Sequence, residues 1–130
     1  MIVLDENIGR DEWEILSVMG IRSRQIGFEL ADKGVDDEQQ IIPLLRRLTH
    51  PTFFTRDFDF FEARLCDPRY CIACLRVTRV DSSFFIRRFL RHRSFRTHRA
   101  RMGKIVQSSQ AGIRILHPRA AEEGVAWEVK

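Results

Sequence analysis

Seven carboxylates lie where short apolar runs of the sequence give way to helix or turn signals. They are Asp5 and Glu6; Asp36, Asp37 and Glu38; and Asp57 and Asp59. Carboxylates that are brought close together repel one another and destabilise a fold unless a cation is bound between them. Hard divalent cations such as Mg²⁺ or Mn²⁺ prefer oxygen ligands and support phosphoryl transfer or phosphodiester hydrolysis. The pattern predicts metal-assisted phosphoryl transfer or phosphodiester hydrolysis, provided that the fold gathers the three groups.

The apolar runs predict an α/β fold. Strands are expected at residues 2–4, 23–30, 51–55, 71–77, 104–107 and 112–116, with a further strand at 125–129. Helices are expected over 8–19, from Asp36 to about 48, and over 81–102; Asp36 is the expected cap of the second, and Pro43 is expected to kink it or delay its start. This alternation predicts a mostly parallel sheet with helices on both faces, which puts the acids on one rim.

Composition predicts a single domain over residues 1–130. The chain is 44% apolar and 31% charged, and no stretch approaches the roughly 20 apolar residues that span a bilayer. Three cysteines do not form a disulfide framework and no signal peptide is recognisable, so we expect a cytoplasmic protein without membrane contact.

The formal charge of +4 is unevenly distributed. Residues 1–75 carry nine Lys/Arg and fourteen Asp/Glu, a net charge of −5, whereas residues 76–130 carry thirteen and four, a net charge of +9. On the helix predicted in the basic part (81–130), Arg87, Arg88 and Arg91 fall on one arc opposite the apolar residues. An arginine face of this kind can bind a polyanion, and we expect it to grip an RNA backbone. A solvated helix face and a membrane-surface helix are the alternatives.

The spacing of the three cysteines allows a zinc site as a hypothesis. Cys66, Cys71 and Cys74 have a spacing that zinc could use, with His92 or His98 as a fourth ligand. Cys71 and Cys74 lie in an apolar strand pattern and are predicted to face opposite sides of the sheet. Buried, unreactive thiols are therefore the preferred interpretation.

The acidic part (1–80) resembles a known family. Leu4-Asp5-Glu6-Asn7, Gly34-Val35-Asp36-Asp37-Glu38 and Phe54-Thr55-Arg56-Asp57-Phe58-Asp59-Phe60 are similar to motifs of the PIN-like superfamily, in its small bacterial branch. The resemblance implies an α/β/α sandwich and a Mg²⁺- or Mn²⁺-dependent ribonuclease. By motif position it implies that Asp5, Asp37, Asp57 and Asp59 hold the metal, with Thr55, Glu6 and Glu38 in support.

Two functions of different classes follow. The first is an endoribonuclease acting on RNA, single-stranded by preference; the resemblance allows a toxin that a small antitoxin protein inhibits. The second is an inactive PIN-like module that binds nucleic acid or protein, in which the acids only cap helices. The oligomeric state stays open, a homodimer included.

Overall fold

The computed structural model describes residues 1–35 and 37–128. Within them, seven strands form one sheet: β1 (Ile2–Leu4), β2 (Arg24–Gln25), β3 (Thr52–Thr55), β4 (Cys71–Leu75), β5 (Ile105–Ser109), β6 (Gly112–His117) and β7 (Ala120–Val125). The helices are α1 (Arg10–Val18), α2 (Glu38–Arg47), α3 (Ser82–Arg91) and α4 (His98–Arg101). None of these helices is both long enough and apolar enough to cross a membrane.

The sheet is mostly parallel, in the order β2-β1-β3-β4-β5-β6-β7. Strands β1 to β5 pair in parallel, and β6 and β7 add an antiparallel edge. The chain passes from β1 to one side for β2 and returns to the other side for β3, so the strand order reverses between β1 and β3. Ligands of open parallel sheets bind outside the strand carboxyl ends at such a reversal. Asp5 and Asp57 follow these two strands.

Helices cover both faces of the sheet, which confirms the predicted α/β layering. One buried cluster contains Leu16 of α1 and Phe89 of α3, and the other contains Ile41 of α2. Consecutive strand residues alternate between the clusters: Phe54 packs with α1 and α3, and Phe53 packs with α2. Helix α2 therefore lies on the opposite face of the sheet from α3.

Ion pairs fix α2 at both ends to the segment between β3 and β4. Near its start, Glu38 receives two hydrogen bonds from Arg64, of 2.5 and 2.7 Å. Near its end, Arg46 donates to Asp67 at 3.2 Å. Asp67 also pairs with Arg69, and these hydrogen bonds lower the pKa of its carboxyl to about 2. The start of α2, which carries Asp37, is thereby held against the residues that follow β3.

The helix predicted over 81–102 is in fact two helices, α3 and α4. His92 ends α3 in an extended conformation, and its Nδ1 accepts a hydrogen bond from the Ser94 amide at 3.1 Å. The chain then turns inward so that Phe95 is fully buried and stacks on Phe89 with 4.6 Å between ring centroids. Thr97 caps α4 by accepting from Ala100 at 3.1 Å. The burial of Phe95 in the core and the cap at Thr97 thus divide the segment that the helical pattern of the sequence predicts as one helix.

Three further expectations differ from the structure. Strand β2 has two residues rather than eight, because Gly27 turns the chain with a φ of +89°. Helix α2 begins at Glu38 under an Asp37 cap and continues through Pro43, so the late start is wrong, and Asp36 lies outside the described residues. The last strand is β7 at Ala120–Val125; Val129, part of the predicted 125–129 strand, lies outside the described residues.

Candidate active site

Asp5 is the most buried of the predicted acids, with 2% of its surface exposed. Its Oδ2 accepts a hydrogen bond from the hydroxyl of Thr55 at 2.6 Å, and its Oδ1 accepts one from the amide of Glu6 at 2.7 Å. The Thr55 oxygen in turn accepts from the Asp57 amide at 3.0 Å. Because that amide is a donor, the hydroxyl proton of Thr55 is free for Asp5. Thr55 therefore holds the Asp5 carboxylate and the Asp57 backbone together.

Asp57 and Asp37 each cap a short stretch of helix. Asp57 Oδ1 accepts from the amide of Asp59 at 2.9 Å, at the start of a 3₁₀ turn over Phe58–Phe60. Asp37 Oδ1 accepts from the amide of Gln40 at 2.9 Å. Among the described residues, no donor contacts the second oxygen of either carboxylate. Capping thus uses one oxygen of each carboxylate and leaves the other oxygen available to a ligand.

Three of the four predicted metal-binding acids line one cavity. Asp37, Asp57 and Asp59 surround about 300 Å³, together with Glu38 and Phe60. Asp5 does not line this cavity; the hydroxyl of Thr55 and the Asp57 amide connect it to Asp57, which does.

The donors of this cavity suit a hard divalent cation. Mg²⁺ commonly takes one or two carboxylates and completes its shell with water and substrate phosphate. Within residues 1–35 and 37–128, no three His, Cys, Asp or Glu side chains are grouped to hold a metal ion. Asp37, Asp57 and Asp59 supply oxygen donors of the kind that Mg²⁺ or Mn²⁺ prefers, but as they stand in the structure they do not form a three-ligand metal site.

The two supporting glutamates already have partners. Glu38 is paired with Arg64, whose hydrogen bonds lower the pKa of the Glu38 carboxyl. Glu6 Oε1 accepts from the amide of Gly34 at 2.8 Å, and a Cβ at Gly27 would lie 3.0 Å from Glu6 Cδ. Both glutamates thus act as anchors for the chain around the acids.

A basic groove beside the acidic cavity was missing from the sequence-based prediction. It encloses about 790 Å³ and is lined by Arg56, Phe58 and Arg76 among others. Arg56 follows β3 directly and Arg76 follows β4 directly, so the rule that placed the acids at strand ends would also have found these arginines. Residues 56 and 58 line the groove, whereas 57 and 59 line the acidic cavity. The same four-residue segment thus borders both.

The three arginines predicted to bind RNA lie elsewhere. Arg87, Arg88 and Arg91 belong to α3, on the opposite face of the sheet from α2, and line a separate cavity. The structure therefore does not bring them to the acidic cavity.

The cysteines are buried thiols, as preferred on sequence. Cys71 and Cys74 are fully buried, and burial raises the pKa of both, that of Cys71 to about 12. Cys66 is free and half-buried. Within the described residues no cysteine belongs to a group suited to zinc.

Comparisons of the chain with protein-family models, with curated proteins and with solved structures found no match.

Proposed function

We propose that this chain is a PIN-like, divalent-metal-dependent endoribonuclease that hydrolyses RNA phosphodiester bonds in the acidic cavity. The observation that carries the proposal is the meeting of Asp37, Asp57 and Asp59 around one cavity, at the reversal of strand order. These residues come from two separate strand-to-helix junctions. Capping alone does not require the junctions to share a cavity.

In this proposal, carboxylate oxygens of Asp37, Asp57 and Asp59 would bind Mg²⁺ or Mn²⁺ together with water and substrate phosphate, with Asp5 behind them. A cation held there would supply an activated water and neutralise charge on the leaving oxygen. Asp57 orients the attacking water through the carboxylate oxygen that its cap leaves unused. Asp5 fixes the backbone of Asp57 through the hydroxyl of Thr55, and the Asp59 amide holds the Asp57 carboxylate by one oxygen.

The basic groove offers a path for the RNA strand. Arg76 is exposed, and among the described residues no acceptor contacts its guanidinium, so a phosphate can take that place. Phe58 is 45% exposed and stands between the two cavities, where an unpaired base can stack on it. These features favour a single-stranded substrate.

From the resemblance to the PIN-like superfamily, we propose that the protein acts in the cytoplasm and that a small antitoxin protein covers the acidic cavity.

The test is cleavage of a mixed pool of structured and unstructured RNA in Mn²⁺, Mg²⁺ or EDTA. We expect metal-dependent cleavage that falls on the order of 10²- to 10⁴-fold in Asp57→Asn, because the variant loses a carboxylate that positions the reacting water. Asp32→Asn is the matched control, since Asp32 is exposed, lies outside the cavity and undergoes the same change of charge.

Other outcomes separate the alternatives. Equal cleavage by wild type and Asp57→Asn would contradict this site. No cleavage by either, with metal-independent RNA binding retained, would favour the inactive binding module.

A further inference from the structure

A second cavity lies between α3 and the segment that follows β7. It encloses about 530 Å³, within the range of roughly 300–1,000 Å³ that is usual for small-molecule sites. Its lining combines three arginines with the rings of Phe84, His92 and Trp127, and Glu128 adds one carboxylate; the arginines are Arg87, Arg88 and Arg91. This composition suits a ligand that is both anionic and flat.

The three arginines have no anionic partner in the described part of the chain. Arg87, Arg88 and Arg91 form no ion pair there, and no carbonyl or side-chain oxygen accepts from their guanidinium groups. The Nε of Arg87 is buried without a hydrogen-bond partner. A half-buried cation with an unsatisfied donor costs free energy that an acceptor oxygen in the cavity would recover.

Glu128 does not neutralise these arginines. Its Oε1 accepts from the Arg93 amide at 2.7 Å and lies 3.9 Å from Arg93 Nε, outside the three-arginine group. Both ring nitrogens of His92 already have backbone partners, since its Nδ1 accepts from the Ser94 amide at 3.1 Å and its Nε2 lies 3.0 Å from the carbonyl of Ala126. The cavity thus keeps a positive balance.

The aromatic rings are fixed in place before any ligand arrives. Trp127 Nε1 donates to the carbonyl of Ser109 at 2.6 Å, and the Arg88 guanidinium lies 4.3 Å above the indole ring. Stacking restrains the planar fork of Arg88, which can bind phosphate through two hydrogen bonds. Phe84 at the other side is 54% exposed and offers an open face for a base.

We propose that this cavity binds a nucleotide, with the phosphate on Arg87, Arg88 and Arg91 and the base against the exposed ring of Phe84. Free nucleotides and an unpaired nucleotide within an RNA strand share this chemistry. The inference extends the RNA binding of the proposed function and does not depend on cleavage, because the cavity is separate from the acidic one.

The test is isothermal titration calorimetry of the full chain in EDTA, so that binding is measured without hydrolysis. The probes are adenosine 5′-monophosphate, adenosine, inorganic phosphate and a six-nucleotide oligoadenylate. We expect the monophosphate to bind at least tenfold more tightly than adenosine or inorganic phosphate. Arg88→Gln should weaken that binding at least tenfold and Phe84→Ala several-fold, whereas Arg99→Gln, an exposed arginine outside the cavity, should change it less than twofold.

The outcomes are distinct from those of the cleavage test. Asp57→Asn should bind the monophosphate as wild type does, whether or not the protein cleaves RNA. Oligoadenylate binding at least tenfold tighter than the monophosphate, with the same loss in Arg88→Gln, would identify an RNA strand as the source; equal affinities would identify free nucleotides. Absence of monophosphate binding, equal losses in Arg88→Gln and Arg99→Gln, or inorganic phosphate binding as tightly as the nucleotide would each overturn the proposal.

Discussion

At the scale of single residues, the hydroxyl of Thr55 is the contact on which the acidic site depends most. It donates to Asp5 at 2.6 Å and accepts from the Asp57 amide at 3.0 Å, at a fully buried position. A hydrogen bond to an ionised group is stronger than one between neutral groups, particularly away from water. One oxygen atom therefore joins the carboxylate of Asp5 to the backbone of Asp57, 52 residues away in sequence.

We expect Thr55→Val to lower the free energy of unfolding by about 1–3 kcal/mol, because it leaves the part-buried Asp57 amide without its acceptor and removes a donor from Asp5. Urea unfolding measures the loss, with Thr55→Ser as the control that keeps the hydroxyl. RNA cleavage should fall in Thr55→Val and persist in Thr55→Ser. If Thr55→Val is as stable as wild type while Thr55→Ser is destabilised, the methyl group and not the hydroxyl is what matters at this position.

At the scale of secondary structure, α2 raises the question whether Asp37 is a cap, a catalytic group or both. The Asp37 carboxylate caps the helix with one oxygen, and the ion pair of Glu38 with Arg64 holds the same turn. Aspartate and asparagine cap helices about equally well, but only aspartate brings a charge to the cavity. The two roles can thus be separated by substitution.

Asp37→Asn should change the free energy of unfolding by less than about 0.5 kcal/mol, whereas Asp37→Ala should cost about 1 kcal/mol through the lost cap. Both variants should reduce RNA cleavage, by on the order of 10²-fold or more, if Asp37 serves the chemistry. Thermal unfolding and initial cleavage rates, measured on the same preparations, give the two readouts. Full activity in Asp37→Asn would show that Asp37 serves only as a structural cap.

Strands and helices were predictable from the sequence where the local pattern of apolar residues determines them. The strand at Ile2–Leu4 and the strand before Arg56 follow from short apolar runs, and both lie where they were expected. Strand β7 was misplaced because its sequence, Ala-Ala-Glu-Glu-Gly-Val, has little strand propensity and is held by pairing with β6. The break after Arg91 was missed since it depends on Phe95 reaching the core.

The positions of the candidate-site residues were likewise predictable only in part. Topology alone puts Asp5 and Asp57 on one edge, because each follows a parallel strand beside the reversal of strand order. The pairing of Glu38 with Arg64, 26 residues away, has no signature in sequence. The position of α3 on the other face was also hidden, since helical periodicity defines the buried arc of a helix and not the layer to which it belongs.

At the scale of the whole molecule, cationic and anionic cavities meet at the carboxyl edge of one sheet. Arg56 and Arg76 of the groove both lie in the acidic part of the chain (1–80), so the fold and not the overall division of charge along the sequence creates this arrangement. A phosphodiester strand is repelled by the carboxylates of the acidic cavity unless cations lie close by. Arg56 and Arg76 border the groove beside that cavity, where they would attract the strand.

Contacts between arginine and phosphate release counterions, so RNA affinity should fall with salt by about 0.7 in the double-logarithmic slope for each phosphate bound in a single strand. We expect Arg76→Gln to reduce the slope by about that amount relative to wild type, because Arg76 is exposed and, in the described part of the chain, unpaired. Arg99→Gln removes the same charge outside the groove and should leave the slope unchanged. Titration of a short single-stranded RNA in EDTA at several salt concentrations measures both. An equal change of slope in the two variants would mean that RNA affinity depends on the overall charge of the protein and not on the groove.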